Sequence, residues 1–150
     1  MTTLQKGDKA PAFSGVDQDG KTHALADYKG KKLVVFFYPK ADTPGCTAEA
    51  CDLRDNYERF QANNYALLGV SADAAKKQAK FKEKYGFPFP LIADEDHAVI
   101  KAFGVWGPKK FMGREFDGIH RTTFIINENG IIEEVISKVE TKAHSAQILK

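Results

Sequence analysis

A run of six apolar residues in the first third of the chain constrains its fold more than any other feature. The run is Leu33-Val34-Val35-Phe36-Phe37-Tyr38, and it contains no charged residue. A half-buried strand alternates apolar and polar side chains, whereas a strand covered on both faces is continuously apolar and rich in β-branched and aromatic residues. We therefore predict a central strand here, in a sheet that carries helices on both faces.

The segment after this strand predicts a cysteine in the first turn of a helix. Pro39 ends the strand, because proline cannot donate a hydrogen bond to a neighbouring strand. Thr43 is suited to the N-cap and Pro44 to the first helical position. Cys46 then lies among free backbone N–H groups at the positive end of the helix dipole, where a thiol ionises more readily to the nucleophilic thiolate.

The second cysteine, Cys51, is predicted to lie on another face of the same helix. A helical projection at about 100° per residue gathers an apolar stripe that faces the sheet, made of Cys46, Ala50, Leu53, Tyr57 and Phe60. Cys51 lies about 160° from Leu53, so we expect its side chain to point away from the core. The alternatives are a core cysteine at 46 and an inert surface thiol at 51, but the two positions together favour redox chemistry.

The remaining patterns alternate between strand and helix. They predict a short hairpin around Asp19-Gly20, strands at 33–38, 65–71, 87–92, 122–127 and 131–139, and helices from 43 to about 63 and at 73–85, 94–103 and 142–149. This order predicts one α/β domain over residues 1–150, with a mixed central sheet, helices on both faces and an N-terminal β-hairpin. A thioredoxin-like fold has this architecture.

Composition excludes several classes of protein. The 150 residues are 43% hydrophobic and carry a net charge of +2, so they can form a core but give no sign of nucleic-acid binding. No apolar run is long enough to indicate a membrane span. Two cysteines and no apolar leader ahead of Gly7 favour a cytoplasmic protein with reduced thiols. The two cysteines have a zinc-ligand spacing, but no second pair follows, so neither a metal nor a cofactor is expected.

Several blocks of the sequence resemble the peroxiredoxins, and among them the branch known as peroxiredoxin Q or bacterioferritin comigratory protein. The first is Tyr38-Pro39-Lys40-Ala41-Asp42-Thr43-Pro44-Gly45-Cys46-Thr47, with Cys51 five residues after Cys46. The others are Phe87-Pro88-Phe89-Pro90-Leu91, then Asp94, and finally Gly118-Ile119-His120-Arg121-Thr122-Thr123-Phe124-Ile125-Ile126. The resemblance covers nearly the whole chain, from about 7 to 139.

The resemblance implies a thioredoxin-dependent thiol peroxidase. Cys46 would be the peroxidatic cysteine, which attacks hydrogen peroxide or an organic hydroperoxide and becomes a sulfenic acid. Cys51 would be the resolving cysteine, forming an intramolecular disulfide with Cys46 that thioredoxin or a similar dithiol reduces. Thr43 would contact the peroxide, Pro39 would exclude water, and Arg121 would bind the substrate oxygens and the thiolate. We expect the protein to be a monomer.

The residues alone leave other interpretations open. Arg121 also has the pattern of a surface ion-pair residue, and Glu49 that of an acid interacting with the helix dipole. The four histidines, at 23, 97, 120 and 144, are scattered, and His120 is the candidate base for Cys46. The aromatic and apolar residues Trp106, Phe111 and Met112 would form a pocket wall or pack in the ordinary way.

Two other functions remain as alternatives, a protein dithiol-disulfide oxidoreductase and a peroxide-sensing thioredoxin-like module without turnover. The first normally has Cys-x-x-Cys, whereas four residues separate the cysteines here.

If a disulfide forms between Cys46 and Cys51, the helix that carries them must open. In an ideal helix residues five apart have Cα atoms about 8.7 Å apart, whereas a disulfide requires about 7 Å or less.

Overall fold

The computed structural model describes residues 2–149; Met1 and Lys150, the ends of the predicted domain, lie outside this range. The strands are β1 (Ser14–Val16), β2 (Thr22–Ala24), β3 (Lys32–Phe37), β4 (Tyr65–Ser71), β5 (Leu91–Ala93), β6 (Trp106–Phe111), β7 (Arg114–Ile119), β8 (Thr122–Ile126) and β9 (Ile132–Ile136). The helices are α1 (Pro44–Asp55), α2 (Tyr57–Ala62), α3 (Ala75–Tyr85), α4 (Ala98–Ala102) and α5 (His144–Ile148), with a 3-10 helix at Leu25–Tyr28. Within residues 2–149 no helix has the length and apolarity needed to cross a membrane.

Five strands form the central sheet in the order β5-β4-β3-β8-β9. The pairs β3/β4 and β4/β5 are parallel, while β8 pairs with both β3 and β9 in the antiparallel direction. The mixed sheet is therefore confirmed, and so is the N-terminal hairpin, formed by β1 and β2. The central position of β3 explains its apolar run, because strands on both edges and helices on both faces exclude water from it.

The side chains of the β3 segment alternate between two cores, one on each face of the sheet. One core contains Leu33, Val35 and Phe37 together with Val99, Ile100 and Phe103 from α4 and its C-terminal end. The other contains Val34, Phe36 and Tyr38 together with Cys46 and Leu53 of α1, Phe60 of α2, Phe81 of α3 and Ile148 of α5. Helices thus cover both faces, and α1 presses Cys46 against the sheet.

The predicted continuous helix from 43 to about 63 is wrong, because it breaks at Asn56. The Asn56 side-chain amide donates to the Asp52 carbonyl oxygen at 2.9 Å, which is the oxygen that the backbone N–H of residue 56 would use in a continuous helix. The N–H of Asn56 bonds to the Arg54 carbonyl instead. Asparagine competes with the backbone in this way, and the competition starts a new helix at Tyr57.

Strands β6 and β7 form a two-stranded hairpin that the sequence analysis did not predict. Its turn, Met112-Gly113, has positive φ angles of 51° and 78°. Such turns usually contain Asn-Gly or Asp-Gly, so methionine at the first position concealed the hairpin. Phe111 and Met112 are exposed at the tip, whereas Trp106 stacks on His97 with ring centroids 4.1 Å apart.

Three helices start later than predicted. The first of them, α3, begins at Ala75 with Ala74 at the N-cap, so its predicted start at Asp73 is wrong. The Asp73 carboxylate instead accepts hydrogen bonds from the Ala41 N–H and the Ser71 hydroxyl, both at 2.7 Å. Helix α4 begins at Ala98, four residues after Asp94. The Asp94 carboxylate lies outside the helix and accepts hydrogen bonds from backbone N–H groups in the first turn of α4. Helix α5 begins two residues after its predicted start.

Candidate active site

Cys46 is buried in the first turn of α1, where the loop from β3 ends. Thr43 occupies the N-cap with an extended backbone, φ −102° and ψ 157°, and Pro44 is the first helical residue, as predicted. The Thr43 hydroxyl donates to the Lys40 carbonyl oxygen at 2.8 Å rather than to the helix. Helix geometry leaves the N–H groups of Gly45 and Cys46 without intrahelical partners, and they face the end of the helix where the sulfur lies.

Two carboxylates hold the loop between β3 and α1 in place. Asp73 accepts from the Ala41 N–H, which ties the loop to the segment after β4. Asp42, whose φ of 58° is in the left-handed region, accepts from Lys84 Nζ at 2.9 Å and from the Tyr85 hydroxyl at 2.8 Å. Because Asp73, Lys84 and Tyr85 lie outside the loop, its position depends on the folded α3 and β4.

Arg121 lies directly before β8 and contacts α1 through both terminal nitrogens. Nη2 donates to Cys46 Sγ at 3.3 Å, and Nη1 donates to Glu49 Oε1 at 2.7 Å. Burial disfavours the guanidinium charge, but Cys46 and Glu49 outweigh it and raise the pKa of Arg121. The sulfur therefore has a permanent cation beside it.

Gly45 provides the space through which Arg121 reaches the sulfur. A Cβ atom at this position would lie 3.2 Å from Arg121 Nη2, closer than ordinary van der Waals contact. Any larger residue would force the guanidinium to move by a few tenths of an ångström. Glycine in the sequence motif thus has a steric role in the site.

Glu49 is fully buried, which its interpretation as an acid interacting with the helix dipole did not predict. Burial raises its pKa from 4.5 to about 7, although the neighbouring Arg121 acts in the opposite direction. The sequence does contain a signal that Glu49 is buried. Glu49 lies three residues after Cys46 and four before Leu53, so it falls within the predicted apolar stripe, where a charged residue needs a buried partner.

His144, in α5, is buried behind Glu49 and was also missed. Its Nε2 atom is 2.8 Å from Thr123 Oγ1 and 3.5 Å from Glu49 Oε2. Burial is the main cause that lowers the pKa of His144. Beside it, the Ser145 N–H donates to Asp52 Oδ2 at 2.6 Å and docks α5 on α1. Nothing in the local sequence pattern indicates that this terminal segment returns to the cysteine helix.

Cys51 is half-buried at the margin of the core that contains Cys46, so the expectation that it points away from the core is wrong. The adjacent Asp52 accepts hydrogen bonds from the Ser145 N–H and hydroxyl, which dock α5 on this part of α1. Burial raises the pKa of the Cys51 thiol, and Arg54 offsets this only in part. Both cysteines are free thiols in an intact α1.

The hairpin of β6 and β7 brings Lys109 to the site, whereas His120 is held elsewhere. Lys109 Nζ donates to the Ile119 carbonyl oxygen at 2.8 Å. Burial and the Arg121 charge lower the pKa of Lys109, and Cys46 opposes this shift. His120, the candidate base, has its Nε2 atom 2.9 Å from the Pro108 carbonyl oxygen. Of the residues from 2 to 149, no three His, Cys, Asp or Glu side chains are grouped so that they could hold a metal ion.

Four of the five residues singled out in the sequence lie in the segment from the end of β3 through α1, and the fifth, Arg121, contacts α1. Arg121 contacts Cys46 directly. Thr43 adjoins the first turn of α1, and Pro39 is half-buried in the bend that follows β3. Cys51 lies further along the same helix. The contact between Cys46 and Arg121 thus joins residues 75 positions apart in sequence.

Comparison with known proteins gives a consistent result. The family described as AhpC/TSA matches residues 6–135. Peroxiredoxin Bcp of Escherichia coli is 47% identical over 149 residues, which cover 99% of this chain and 96% of that protein. A solved structure of Xanthomonas campestris peroxiredoxin Q has a TM-score of 0.88 at 33% identity, covering 99% of this chain and 94% of the other.

A second solved structure is that of Xanthomonas campestris bacterioferritin comigratory protein, described for its alkyl peroxide reduction activity. It has a TM-score of 0.88 at 34% identity, covering 93% of this chain and 88% of the other. These similarities confirm the thioredoxin-like fold and the resemblance seen in the sequence blocks. The chain therefore belongs to the AhpC/TSA family, as a peroxiredoxin of the Bcp or peroxiredoxin Q branch and hence a peroxidase of the oxidoreductase class.

Proposed function

We propose that this peroxiredoxin reduces hydrogen peroxide and organic hydroperoxides with Cys46 as its peroxidatic cysteine. The observation that carries the proposal is the 3.3 Å hydrogen bond from Arg121 Nη2 to Cys46 Sγ at a helix N terminus. A guanidinium keeps its charge at every relevant pH, so it stabilises a thiolate without competing for the proton. The thiolate, rather than the thiol, is the nucleophile in such chemistry.

In the proposed reaction the Cys46 thiolate attacks the terminal oxygen of the hydroperoxide in line with the O–O bond. The S–O bond forms as the O–O bond breaks, and the sulfur is oxidised by two electrons. The other oxygen leaves with a proton as water or as an alcohol, and Cys46 becomes a sulfenic acid. Negative charge grows on the leaving oxygen, so the reaction requires hydrogen-bond donors and cations that are already in position.

Thr43 and Pro39 are proposed to complete the substrate pocket. Because the Thr43 hydroxyl donates its hydrogen to the Lys40 carbonyl, its lone pairs are free to accept a hydrogen bond from the peroxide O–H. The developing oxyanion would be stabilised by Arg121 and the Cys46 N–H. Pro39, half-buried after β3, would limit access of water to the sulfur.

Thiol ionisation supplies only a small part of the rate. Lowering the pKa of a thiol from about 8.5 to about 6 raises its thiolate fraction at pH 7 roughly thirtyfold. Enzymes usually accelerate their reactions by about 10⁶ or more. Alignment of the O–O bond and stabilisation of the leaving oxygen must therefore provide most of the acceleration.

In the second half of the proposed cycle, Cys51 resolves the sulfenic acid. Its thiolate attacks Cys46 Sγ, an S–S bond forms and the hydroxyl oxygen leaves as water. Thioredoxin or a similar dithiol then reduces the disulfide by exchange and is itself oxidised. The raised pKa of the half-buried Cys51 supports an order of events in which α1 opens before Cys51 attacks.

The proposal extends to the oligomeric state, the compartment and the substrates of the reaction. Cys46 and Cys51 lie on the same helix, so the proposed disulfide needs no second chain, which supports a monomer as the working unit. Reduction of the disulfide requires a dithiol pool, so the cytoplasm is the proposed compartment. The alkyl peroxide reduction activity described for the Xanthomonas campestris relative supports organic hydroperoxides as substrates.

Counting turnovers with hydrogen peroxide, thioredoxin and thioredoxin reductase tests the proposal. We expect many turnovers per chain for the unmodified protein, none for Cys46→Ser, and one for Cys51→Ser before it stalls as a sulfenic acid. A single oxidation of the unmodified protein without turnover would indicate a sensor. Reduction of protein disulfides without peroxide consumption would indicate a dithiol-disulfide oxidoreductase. Sustained turnover by Cys51→Ser would show that Cys51 is not the resolving residue.

A further inference from the structure

Glu49 and His144 form a buried pair behind Arg121 that the proposed peroxide chemistry does not use. Both side chains are fully buried. Glu49 Oε1 accepts the hydrogen bond from Arg121, while Oε2 faces His144 Nε2 at 3.5 Å. Among residues 2–149 no group is in hydrogen-bond geometry with Oε2. A buried carboxylate oxygen without a donor is unfavourable, so the protonation of this pair needs an explanation.

Hydrogen bonds around Gln147 fix the position of the proton on His144. The Glu140 N–H donates to Gln147 Oε1 at 2.9 Å, and Gln147 Nε2 donates to the Lys138 carbonyl at 3.0 Å, which identifies Oε1 as the carbonyl oxygen. His144 Nδ1 is 2.6 Å from this same oxygen and must donate to it. A neutral His144 therefore has its lone pair on Nε2.

The Thr123 hydroxyl lies 2.8 Å from His144 Nε2 and is placed to donate to its lone pair. Glu49 Oε2 lies 3.5 Å from the same nitrogen. If Glu49 were ionised, a buried carboxylate oxygen without a donor would face this nitrogen with no proton between them. The raised pKa of Glu49, caused by burial, and the lowered pKa of His144 both assign the proton to Glu49.

The charged and titratable groups around this pair come from several elements. Cys46 and Asp52 lie on α1, Lys109 lies on β6 and Arg121 precedes β8. Arg121 contacts both Cys46 and Glu49. A protonated Glu49 accepts the Arg121 hydrogen bond without neutralising the guanidinium, whereas an ionised Glu49 competes with the Cys46 thiolate for the same positive charge.

We propose that Glu49 is a proton-holding positioning residue: protonated on the oxygen that faces His144, it orients Arg121 toward Cys46, and loss of this proton draws the guanidinium charge away from the thiolate. The inference rests on the proposed function only because it takes Cys46 as the reacting group. The coupling is reciprocal, so a thiolate at Cys46 also strengthens the hold of Glu49 on its proton.

The titration of the Glu49 carboxyl tests this directly, without peroxide. Infrared spectra of protein with ¹³C-labelled glutamate carboxyls would be recorded against pH, and the Glu49 band assigned by its loss in Glu49→Gln. We expect a midpoint near neutral pH, and a midpoint about one pH unit lower in Cys46→Ser, which lacks the thiolate. A Glu49 that is ionised throughout the neutral range, or an unchanged midpoint in Cys46→Ser, would overturn the inference.

The pH dependence of the reaction with peroxide provides the second test. Glu49→Gln keeps an oxygen for Arg121 and an amide donor for His144 but cannot ionise. In the unmodified protein we expect the rate constant to fall about tenfold on the alkaline side of the Glu49 midpoint, and in Glu49→Gln to reach a plateau. The control is Glu58→Gln, an exposed acid in α2 that should retain the alkaline fall. Parallel alkaline limbs in unmodified protein and Glu49→Gln would contradict the proposal.

A measurement on the unmodified protein covers the case in which the variants fail to fold. ¹⁵N NMR of His144 should show a protonated Nδ1 and an unprotonated Nε2 on both sides of the Glu49 midpoint. A proton on Nε2 would overturn the assignment. If the unmodified protein does not react with peroxide at all, the proposed function fails, while the Glu49 and His144 titrations still decide the proton assignment.

Discussion

At the scale of single residues, the chemistry of this site depends on the two nitrogens of Arg121. One donates to the sulfur of Cys46 and the other to the carboxyl of Glu49, so the same planar group is held in position and, in the proposed reaction, stabilises the thiolate. A lysine in this position would have a single ammonium on a flexible stem and would not reproduce the fork.

We expect Arg121→Lys to slow the reaction with peroxide by about a hundredfold, as loss of one preorganised charge-stabilising contact usually does. Stopped-flow kinetics with hydrogen peroxide measure this, and urea unfolding measures the accompanying change in stability, which should be the smaller effect. Arg114→Lys, an exposed arginine on β7, is the matched control and should react at the unmodified rate. Equal rates for the unmodified protein and Arg121→Lys would exclude the role assigned to Arg121.

Stability should also depend on the proton of Glu49. Its pKa is raised by burial from 4.5 to about 7, so the folded protein binds this proton more tightly than the unfolded chain does. The stability linked to it is complete below about pH 4.5 and is lost as the pH rises through about 7, with an upper limit of about 3 kcal/mol. Urea unfolding of the unmodified protein and Glu49→Gln at about pH 5 and about pH 8 measures the difference. Parallel pH dependence in the two proteins would contradict the buried protonated state.

At the scale of elements, α1 is held in its folded form by its neighbours on three sides. Its first turn follows a loop anchored by Asp73, its buried stripe packs against the sheet, and Asp52 accepts from Ser145 of α5. Both cysteines lie within this one helix. A disulfide between residues five apart cannot form in an ideal helix, so the proposed catalytic cycle requires α1 to open against these contacts.

We therefore expect oxidised protein to exchange amide hydrogens faster than reduced protein across residues 43–55. Frayed helix ends open at the lowest cost, and Pro44-Gly45 place a poor helix former in the first turn. Hydrogen-exchange mass spectrometry on the two forms measures this, and Cys51→Ser treated with the same peroxide is the control that should keep its protection. Equal protection in the two forms, with the disulfide confirmed, would mean that α1 need not unwind.

The elements that sequence patterns predicted well are those that the local pattern alone determines. Strand β4 occupies Tyr65–Ser71 as predicted, because its apolar run ends at polar residues on both sides. The break at Asn56 was missed because it depends on a side-chain hydrogen bond to Asp52 rather than on periodicity. The hairpin of β6 and β7 was missed because its turn uses Met112.

The residues of the site also divide into those that the sequence predicted and those that it did not. Cys46 and Thr43 could be placed from the strand, loop and helix signals around them, and Arg121 was identified only through the family resemblance. Glu49 and His144 were missed, because their roles arise from a contact between residues 95 positions apart in sequence. Such contacts depend on how α5 folds back, which no local pattern encodes.

At the scale of the whole molecule, the sheet provides the rigid support for a site whose parts come from distant segments. The loop that leads to Cys46 follows strand β3, and Arg121 directly precedes the adjacent β8. Register places Phe37 opposite Thr122, so the end of β3 and the start of β8 lie side by side. Strand pairing therefore places the backbone segments that carry the thiol and the guanidinium close together.

The most direct test of the central claim follows the two sulfurs after one equivalent of peroxide. Rapid quenching with a thiol-blocking reagent, followed by peptide mass spectrometry, gives the oxidation state of each cysteine against time. We expect sulfenic acid at Cys46 first, with Cys51 unmodified, and then its conversion to the disulfide between Cys46 and Cys51. Oxidation that begins at Cys51, or a Cys46 that stays reduced while peroxide is consumed, would contradict the account.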